Sequence, residues 1–533
     1  MPVRSISPRL AVSVVYVVAM FMAIMDTTIV NVALPTISRD LSVPLDRVDG
    51  VVTGFLVSLA VFIPASGWLG DRFGTRRVFL AALAIFTLAS ALCGLAQDFG
   101  ELVGFRVLQG VGGGMLTPTG MAMLYRAYPP AERVRASRIL TVPTALAPAL
   151  GPVVGGILVT AASWRWVFYV NVPIGVAGFV FGAVFLPEHR EPGTGRFDLP
   201  GFVLSGAGLG TLMYALSEGP SHGWTSPLIV STGFAGIVLL AALARAETRT
   251  PEPLVHLRLL ADRLFASASA VLFTGVMAFL GTLYLIALFL QDGLGLSALN
   301  AGLSTFPEAI GVMAGAQIAA RLYPRIGPRR MMTGGMLGVA AMTALMITAG
   351  SGTSLWWLRA LMLLLGLSWA QALVPLQAAA FATISPADTG AASTLFNTGR
   401  QLGMAIGVAI LTTVASAVGL THRVAGRTAP HLTAYHAALV AASAIALIAA
   451  GLAQFVDDRA AAATMRRPEP SPRRTVAAAH AASAGCHHPA IAGSRLIERQ
   501  NGEVADHRED LVHYRHVAWL RPRVGDRGPG PRR

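Results

Sequence analysis

Five ionisable side chains stand inside long apolar runs of this chain: Asp26, Arg106, Glu308, Arg359 and Arg400. A charge near the centre of a bilayer costs about 2.5 to 3.5 kcal/mol on insertion scales, so such residues are usually paired or face a wet cavity. The two acids are the groups that can carry a proton. Desolvation disfavours a carboxylate and a nearby Arg favours it, so an acid whose surroundings open and close can take up and release H+. Asp26 is open to that reading and also to a fixed ion pair with an Arg that only holds helices together. Glu308 is open to proton or cation handling and also to a plain position near the outer interface. A further acid, Asp71, stands in "GWLGDRFGTRR", Gly67 to Arg77, beside Arg72, Arg76 and Arg77. Arginines hold such a loop on one side of a membrane and an acid adds nothing to that. Asp71 therefore reads as the partner of an Arg or of a helix N-terminus, in a latch that forms in one conformation and breaks in another.

Composition sets other chemistry aside. All 41 residues of the Lys+Arg count are Arg, so the chain has no phosphate-binding P-loop lysine and no Schiff-base lysine. Cys93 and Cys486 lie far apart and give neither a disulfide framework nor a CxxC site. The "CHH" run at Cys486 to His488 lacks two further ligands at defined spacing. No metal, no cofactor and no bond-making catalysis is expected.

The elements that must position these residues follow from hydropathy. A chain of 533 residues that is 54% hydrophobic and 13% charged, with a mean hydropathy of +0.60, is too apolar for an ordinary water-soluble fold. About 20 apolar residues are needed per helical span. Fourteen segments meet that need: 10–35, 50–70, 78–97, 101–124, 139–162, 166–186, 199–217, 227–244, 264–290, 301–321, 331–350, 355–380, 391–419 and 433–455. With both termini cytoplasmic, the arginines before residue 457 divide as 19 inside, five outside and three embedded. That is the positive-inside pattern of a multi-pass inner (plasma) membrane protein. The formal net charge of +14 is then a topology signal and calls for no nucleic-acid partner. After Asp457 the chain turns polar and rich in Ala, Arg, His and Pro, which reads as a disordered cytoplasmic tail.

The chain also repeats itself. A shift of 253 residues carries "LGDRFGTRR" from Leu69 onto "LYPRIGPRR" from Leu322, and carries Leu102, Arg106 and Gly113 onto Leu355, Arg359 and Gly366. The reading is two six-span halves with spans seven and eight inserted between them. It divides the chain into 1–186, 187–263, 264–456 and a tail 457–533. In the second copy Pro324 replaces Asp71, so the latch there is absent or different. In "GPVVGG", Gly151, Gly155 and Gly156 would let helices approach closely while Pro152 weakens the backbone ladder. Gln109, Asn31, Asn171 and Asn397 read as interhelical hydrogen-bonding residues.

Several motifs carry a family resemblance. Gly67, Leu69, Asp71, Arg72, Gly74, Arg76 and Arg77 resemble the loop signature between spans two and three of the major facilitator superfamily. "MDTTIVNVALP" from Met25, "LVGFRVLQGVGGG" around Arg106, "GPVVGG" from Gly151, "WRWVFYVNVPIG" from Trp164 and "NTGRQLGMAIGVAI" from Asn397 are similar to motifs of its fourteen-span drug:proton antiporters, the EmrB/QacA branch. The resemblance covers about residues 10 to 455. It implies an all-α integral membrane protein with the major facilitator fold, two six-helix repeats plus two inserted helices. It further implies a monomer that exports small amphipathic, drug-like compounds in exchange for protons. In that fold, spans one, four, nine and twelve line a central cavity, which would set Asp26, Arg106 and Arg359 along it. An exporter of an endogenous metabolite, an uptake symporter and a membrane sensor acting through its tail remain open alternatives.

Overall fold

The computed structural model describes residues 6–465 apart from 192–194, 251, 351, 420 and 425–426. Most of the expected tail, with Cys486 and its histidines, lies outside the described residues. A helix covers each of the fourteen expected segments. In the first half these are α1 (Pro8–Asp40), α2 (Gly50–Phe73), α3 (Thr75–Leu95), α4 (Phe99–Ala127), α5 (Arg133–Ala161) and α6 (Asn171–Phe185). A short turn of helix, Trp166–Tyr169, leads into α6. The inserted pair is α7 (Leu199–His222) and α8 (Pro227–Glu247). The second half comprises α9 (Arg263–Leu288), α10 (Pro307–Ile326), α11 (Pro328–Leu345), α12 (Leu355–Ala380), α13 (Thr389–Val418) and α14 (Leu432–Leu452), with a short helix, Ala298–Thr305, ahead of α10.

Local chemistry sets the ends of these helices. The side chains of Ser7, Asp98, Asp198, Asp262 and Ser354 accept backbone N–H groups at helix starts. Gly74 and Gly327 close α2 and α10 at φ +102° and +84°, a region that disfavours any residue with a Cβ. Their equivalence is part of the 253-residue repeat. Pro35 does not end α1, which runs on to Asp40 as a helix with an interior proline.

Eleven helices among the described residues are long and apolar enough to cross a membrane. The helices over the fourth, fifth and tenth segments are outside that group. Among these, α4 combines many glycines with Glu101, Arg106 and Arg126, and α10 carries Glu308, Arg321 and Arg325. The fold is all-α in class, with one short hairpin among the described residues. Thr421–Val424 and Arg427–Pro430 pair as an antiparallel hairpin between α13 and α14.

Packing repeats as the sequence does. In the first half α1 packs on α5 and α6, α4 on α2 and α3, and α3 on α6. In the second half α9 packs on α13 and α14, α12 on α10 and α11, and α11 on α14, the same pairs one repeat later. The halves meet through α2 with α13 and, related by the repeat, α10 with α5; α4 with α13 and α12 with α5 repeat the same relation. The inserted helices break this symmetry. While α7 and α8 pack on each other, α7 also docks on α2 and α13 through Leu209 and Met213 against Ala60 and Leu402.

Candidate functional site

Asp26 and Arg106 come together wholly inside the first half. Arg106 Nη1 donates to Asp26 Oδ2 at 2.5 Å and to Gln109 Oε1 at 2.8 Å, and its Nε donates to the Val51 carbonyl at 3.1 Å. Gln109 Nε2 and Asn171 Nδ2 donate to Asp26 Oδ1 at 3.0 and 2.9 Å. Asn171 also donates to Ser90, whose hydroxyl donates to the Phe168 carbonyl. The guanidinium lies 4.3 Å from the Phe55 ring centroid, within cation–π range. Both charged side chains are 0% exposed. The network thus bolts α1, α2, α3, α4 and α6 to one another and opens into no central cavity. The sequence marked the two charges and read Gln109 and Asn171 as interhelical hydrogen-bonding residues, but separations of 83 and 145 residues left no local pattern to show that both amides serve Asp26. Asn31, read as a similar bonding residue, is instead exposed.

The 67–77 stretch has two jobs in two directions. Toward the second half, a methyl on Gly67 would meet Thr394 and Gly390, and Ser66 Oγ lies 3.2 Å from Thr394 Oγ1. Asp71 Oδ1 accepts from Arg126 Nη2 at 2.8 Å, and its carboxylate lies over Gly390 in the first turn of α13. Free N–H groups make that turn the positive end of the helix dipole. Arg126 also faces Glu191 at 3.6 Å and donates from Nε to the Pro386 carbonyl at 3.4 Å. Within the first half, Glu188 sits over Gly74, accepts from the backbone N–H of Arg76 at 3.1 Å and pairs with Arg77 at 3.5 Å. Arg76 reaches back to the Ala183 carbonyl, while Arg72 is exposed. The second copy reproduces the inner clamp: Asp458 sits over Gly327 and accepts from the Arg329 N–H at 2.8 Å. Arg126, Glu188, Glu191 and Asp458 belong to no motif noticed in the sequence, and only the equivalence of Arg76 with Arg329 could have suggested a matching acid.

The three motif glycines of α5 differ from one another. A methyl on Gly151 would collide with Thr28, and one on Gly155 would lie 2.9 Å from Ile29 Cγ1, so α1 and α5 touch there. Gly156 faces open space, which corrects the expectation that all three bring helices together. Its position in the helix turns it away from α1. The side chain of Pro152 lies outside the described residues.

The remaining embedded charges separate. Glu308, 6% exposed, stands in the first turn of α10 with its backbone pressed on Gly366, and has no ion pair or side-chain hydrogen bond among the described residues. Arg359 is half-buried one turn into α12, 4.7 Å from the ring of Trp356, which is 74% exposed. It therefore sits at a helix end under an exposed aromatic, away from the cavity position that the resemblance implied. Arg400 lies on α13 within electrostatic reach of Tyr16 on α1. A separate pocket of about 1020 Å³ opens at the end of the first half, lined by Arg9, Val12, Tyr128, Arg135 and Glu188 among others. Among the described residues no group of acids, His and Cys could hold a metal ion.

The family model described as "Major Facilitator Superfamily" matches residues 16–408. A multidrug resistance protein B homolog of Mycobacterium tuberculosis (strain H37Rv) is 34% identical over 401 residues, 74% of this chain and 74% of its own length. A putative multidrug resistance protein MdtD of Klebsiella pneumoniae (strain 342) is 34% identical over 460 residues, 84% of this chain and 95% of its own. Among solved structures, the proton:xylose symporter XylE matches at a TM-score of 0.60 and 13% identity, covering 86% of this chain and 98% of that one. The human organic anion transporter MFSD10 matches at 0.59 and 17%, covering 84% and 100%. At these identities the two structures speak for the fold alone.

Proposed function

The chain belongs to the major facilitator superfamily, and from that premise we propose that it is a multidrug efflux transporter that exchanges small amphipathic compounds for protons by alternating access. The observation that carries the reading is the interlock at Asp71, where α2 and α4 of one half close on the start of α13 in the other. A contact of this kind, with few partners and partial exposure, can be made in one state and released in the other. The names of the multidrug resistance relatives support export of small molecules. The distribution of Arg supports a cytoplasmic position for residues 70–77 and for both termini in the inner (plasma) membrane. Residues 1–186 and 264–456 are then the halves that rock, with 187–263 as an insert docked on the α2–α13 seam, and the working unit is a monomer.

Glu308 is the better placed proton carrier. Asp26 is satisfied by three donors, one of them its counter-ion Arg106, inside one half, where alternating access need not disturb it. Among the described residues Glu308 has no such partners, so its charge state is free to follow changes in its surroundings. A toxicity panel in a host lacking its own pumps identifies exported compounds, and everted vesicles with an acid interior should accumulate them. Glu308→Gln is expected to bind substrate while losing substrate-induced proton release in reconstituted vesicles. Wild-type release from that variant would return the search to Asp26, and uptake by intact cells down a proton gradient would make the chain a symporter.

A further inference from the structure

Of the charges embedded in the helices, Asp26 and Arg106 neutralise each other and Arg359 sits at a helix end. Arg400 is a cation of another kind. It lies 11 residues past the start of α13, about 16 Å along the axis, which is too deep for a side chain to snorkel to the interface. The orientation of α13 is fixed on both flanks. Gly403 and Gly407 press on the carbonyls of Phe273 and Met277 of α9, while Gly390 and Thr394 meet Asp71, Ser66 and Gly67. Between those flanks, Asn397, one turn before Arg400, donates to the sulfur of Met121 on α4. The ionisable group within reach of Arg400 is Tyr16 on α1. Arg400 therefore points from the second half across the boundary to the first. Arg400 is half-buried, with part of its surface accessible. Among the described residues it makes no ion pair and no hydrogen bond, and the hydroxyl of Tyr16 makes no hydrogen bond either.

A guanidinium does not shed its charge in a protein, and a buried unpaired cation is costly. Among the described residues nothing supplies the counter-charge, so the partner that fits is a ligand. The planar fork matches carboxylate or sulfonate oxygens two at a time, and the same charge repels a lipophilic cation. We propose that Arg400 is the anion-recognising residue of the space between the two halves, with the Tyr16 hydroxyl as a second donor, and that the compounds carried are amphipathic organic acids in preference to lipophilic cations. This names the substrate class of the export activity proposed above and rests on that reading for transport, though not for binding.

The test is binding to the purified full chain in non-ionic detergent, read by fluorescence anisotropy with two probes of similar size, the dianionic dye fluorescein and the cationic dye ethidium. Wild type is expected to bind fluorescein at least tenfold more tightly than ethidium. Arg400→Gln should lose at least tenfold in fluorescein affinity and leave ethidium unchanged or improved. Arg400→Lys should fall between, because it keeps the charge without the fork, and Tyr16→Phe should lose about two- to fivefold. Should Arg400→Gln fail to fold, the preference of wild type and the order of Arg400→Lys and Tyr16→Phe still decide. Wild type binding neither dye or preferring ethidium, or Arg400→Gln binding fluorescein as wild type does, overturns the proposal. Proton-driven flux in vesicles separates it from the export reading: fluorescein bound but not moved counts against export alone, and ethidium moved without fluorescein binding counts against Arg400 alone.

Discussion

Asp26→Asn removes one charge from a fully buried network. In the structure the Asp26 carboxylate takes Arg106 on Oδ2 and both Gln109 and Asn171 on Oδ1, with acid and guanidinium fully buried. An Asn there offers one acceptor and turns an N–H2 toward donors already in place. Breaking one side of a buried pair costs about 3 to 5 kcal/mol, and an unsatisfied buried donor about 1 to 3. The two terms describe the same loss and are not added. Partners found in the unfolded, membrane-embedded reference state pull the figure toward the low end. About 3 kcal/mol corresponds to roughly 150-fold more frequent opening of the first half. Cys93 is a built-in reporter, since its buried thiol lies 3.8 Å from Gln109 Oε1. With Cys486→Ser as background, maleimide labelling of Cys93 in detergent should accelerate by that factor in Asp26→Asn. The double variant Asp26→Leu with Arg106→Met should recover most of the loss, because removing both charges leaves neither uncompensated. An Asp26→Asn protein that labels at the wild-type rate yet no longer releases protons would refute this reasoning and make Asp26 a coupling residue.

Asp71→Asn should fold normally, since Arg126 keeps Glu191 nearby, but should shift the balance toward the state open at this end. Discounted for partial exposure, about 1 to 2 kcal/mol gives roughly a five- to thirtyfold change, read as faster labelling of a cysteine placed at Thr394. Unchanged labelling and transport would reduce the stretch to a plain turn. Gly151→Ala should impair insertion yield and transport by forcing α5 off Thr28, whereas Gly156→Ala should match wild type in both. Equal effects from the two would mean that the α1–α5 contact is not what the motif serves.

The elements were legible in the chain's own pattern of residues. Hydropathy placed all fourteen helical segments because the cost of an apolar side chain in water, or of an unpaired backbone group in lipid, is paid locally and needs no knowledge of neighbours. The 253-residue repeat was legible in Gly74 and Gly327, whose positive φ demands a glycine in each half. Partners came only from how the helices pack. Whether Asp26 faced a cavity or a guanidinium, whether Asp71 met Arg126, and which acid clamped each turn depended on pairs separated by 55 to 129 residues. An ion pair is a short-range contact between side chains, and its members share no periodicity with the runs that carry them. The same holds for Gly151 and Gly156, neighbours in one motif, of which only the first lies where two backbones cross. Arg400 was visible as a charge in an apolar run, but that it lacks a partner among the described residues and lies within electrostatic reach of Tyr16 follows only from how α13 is turned between α9 and α2.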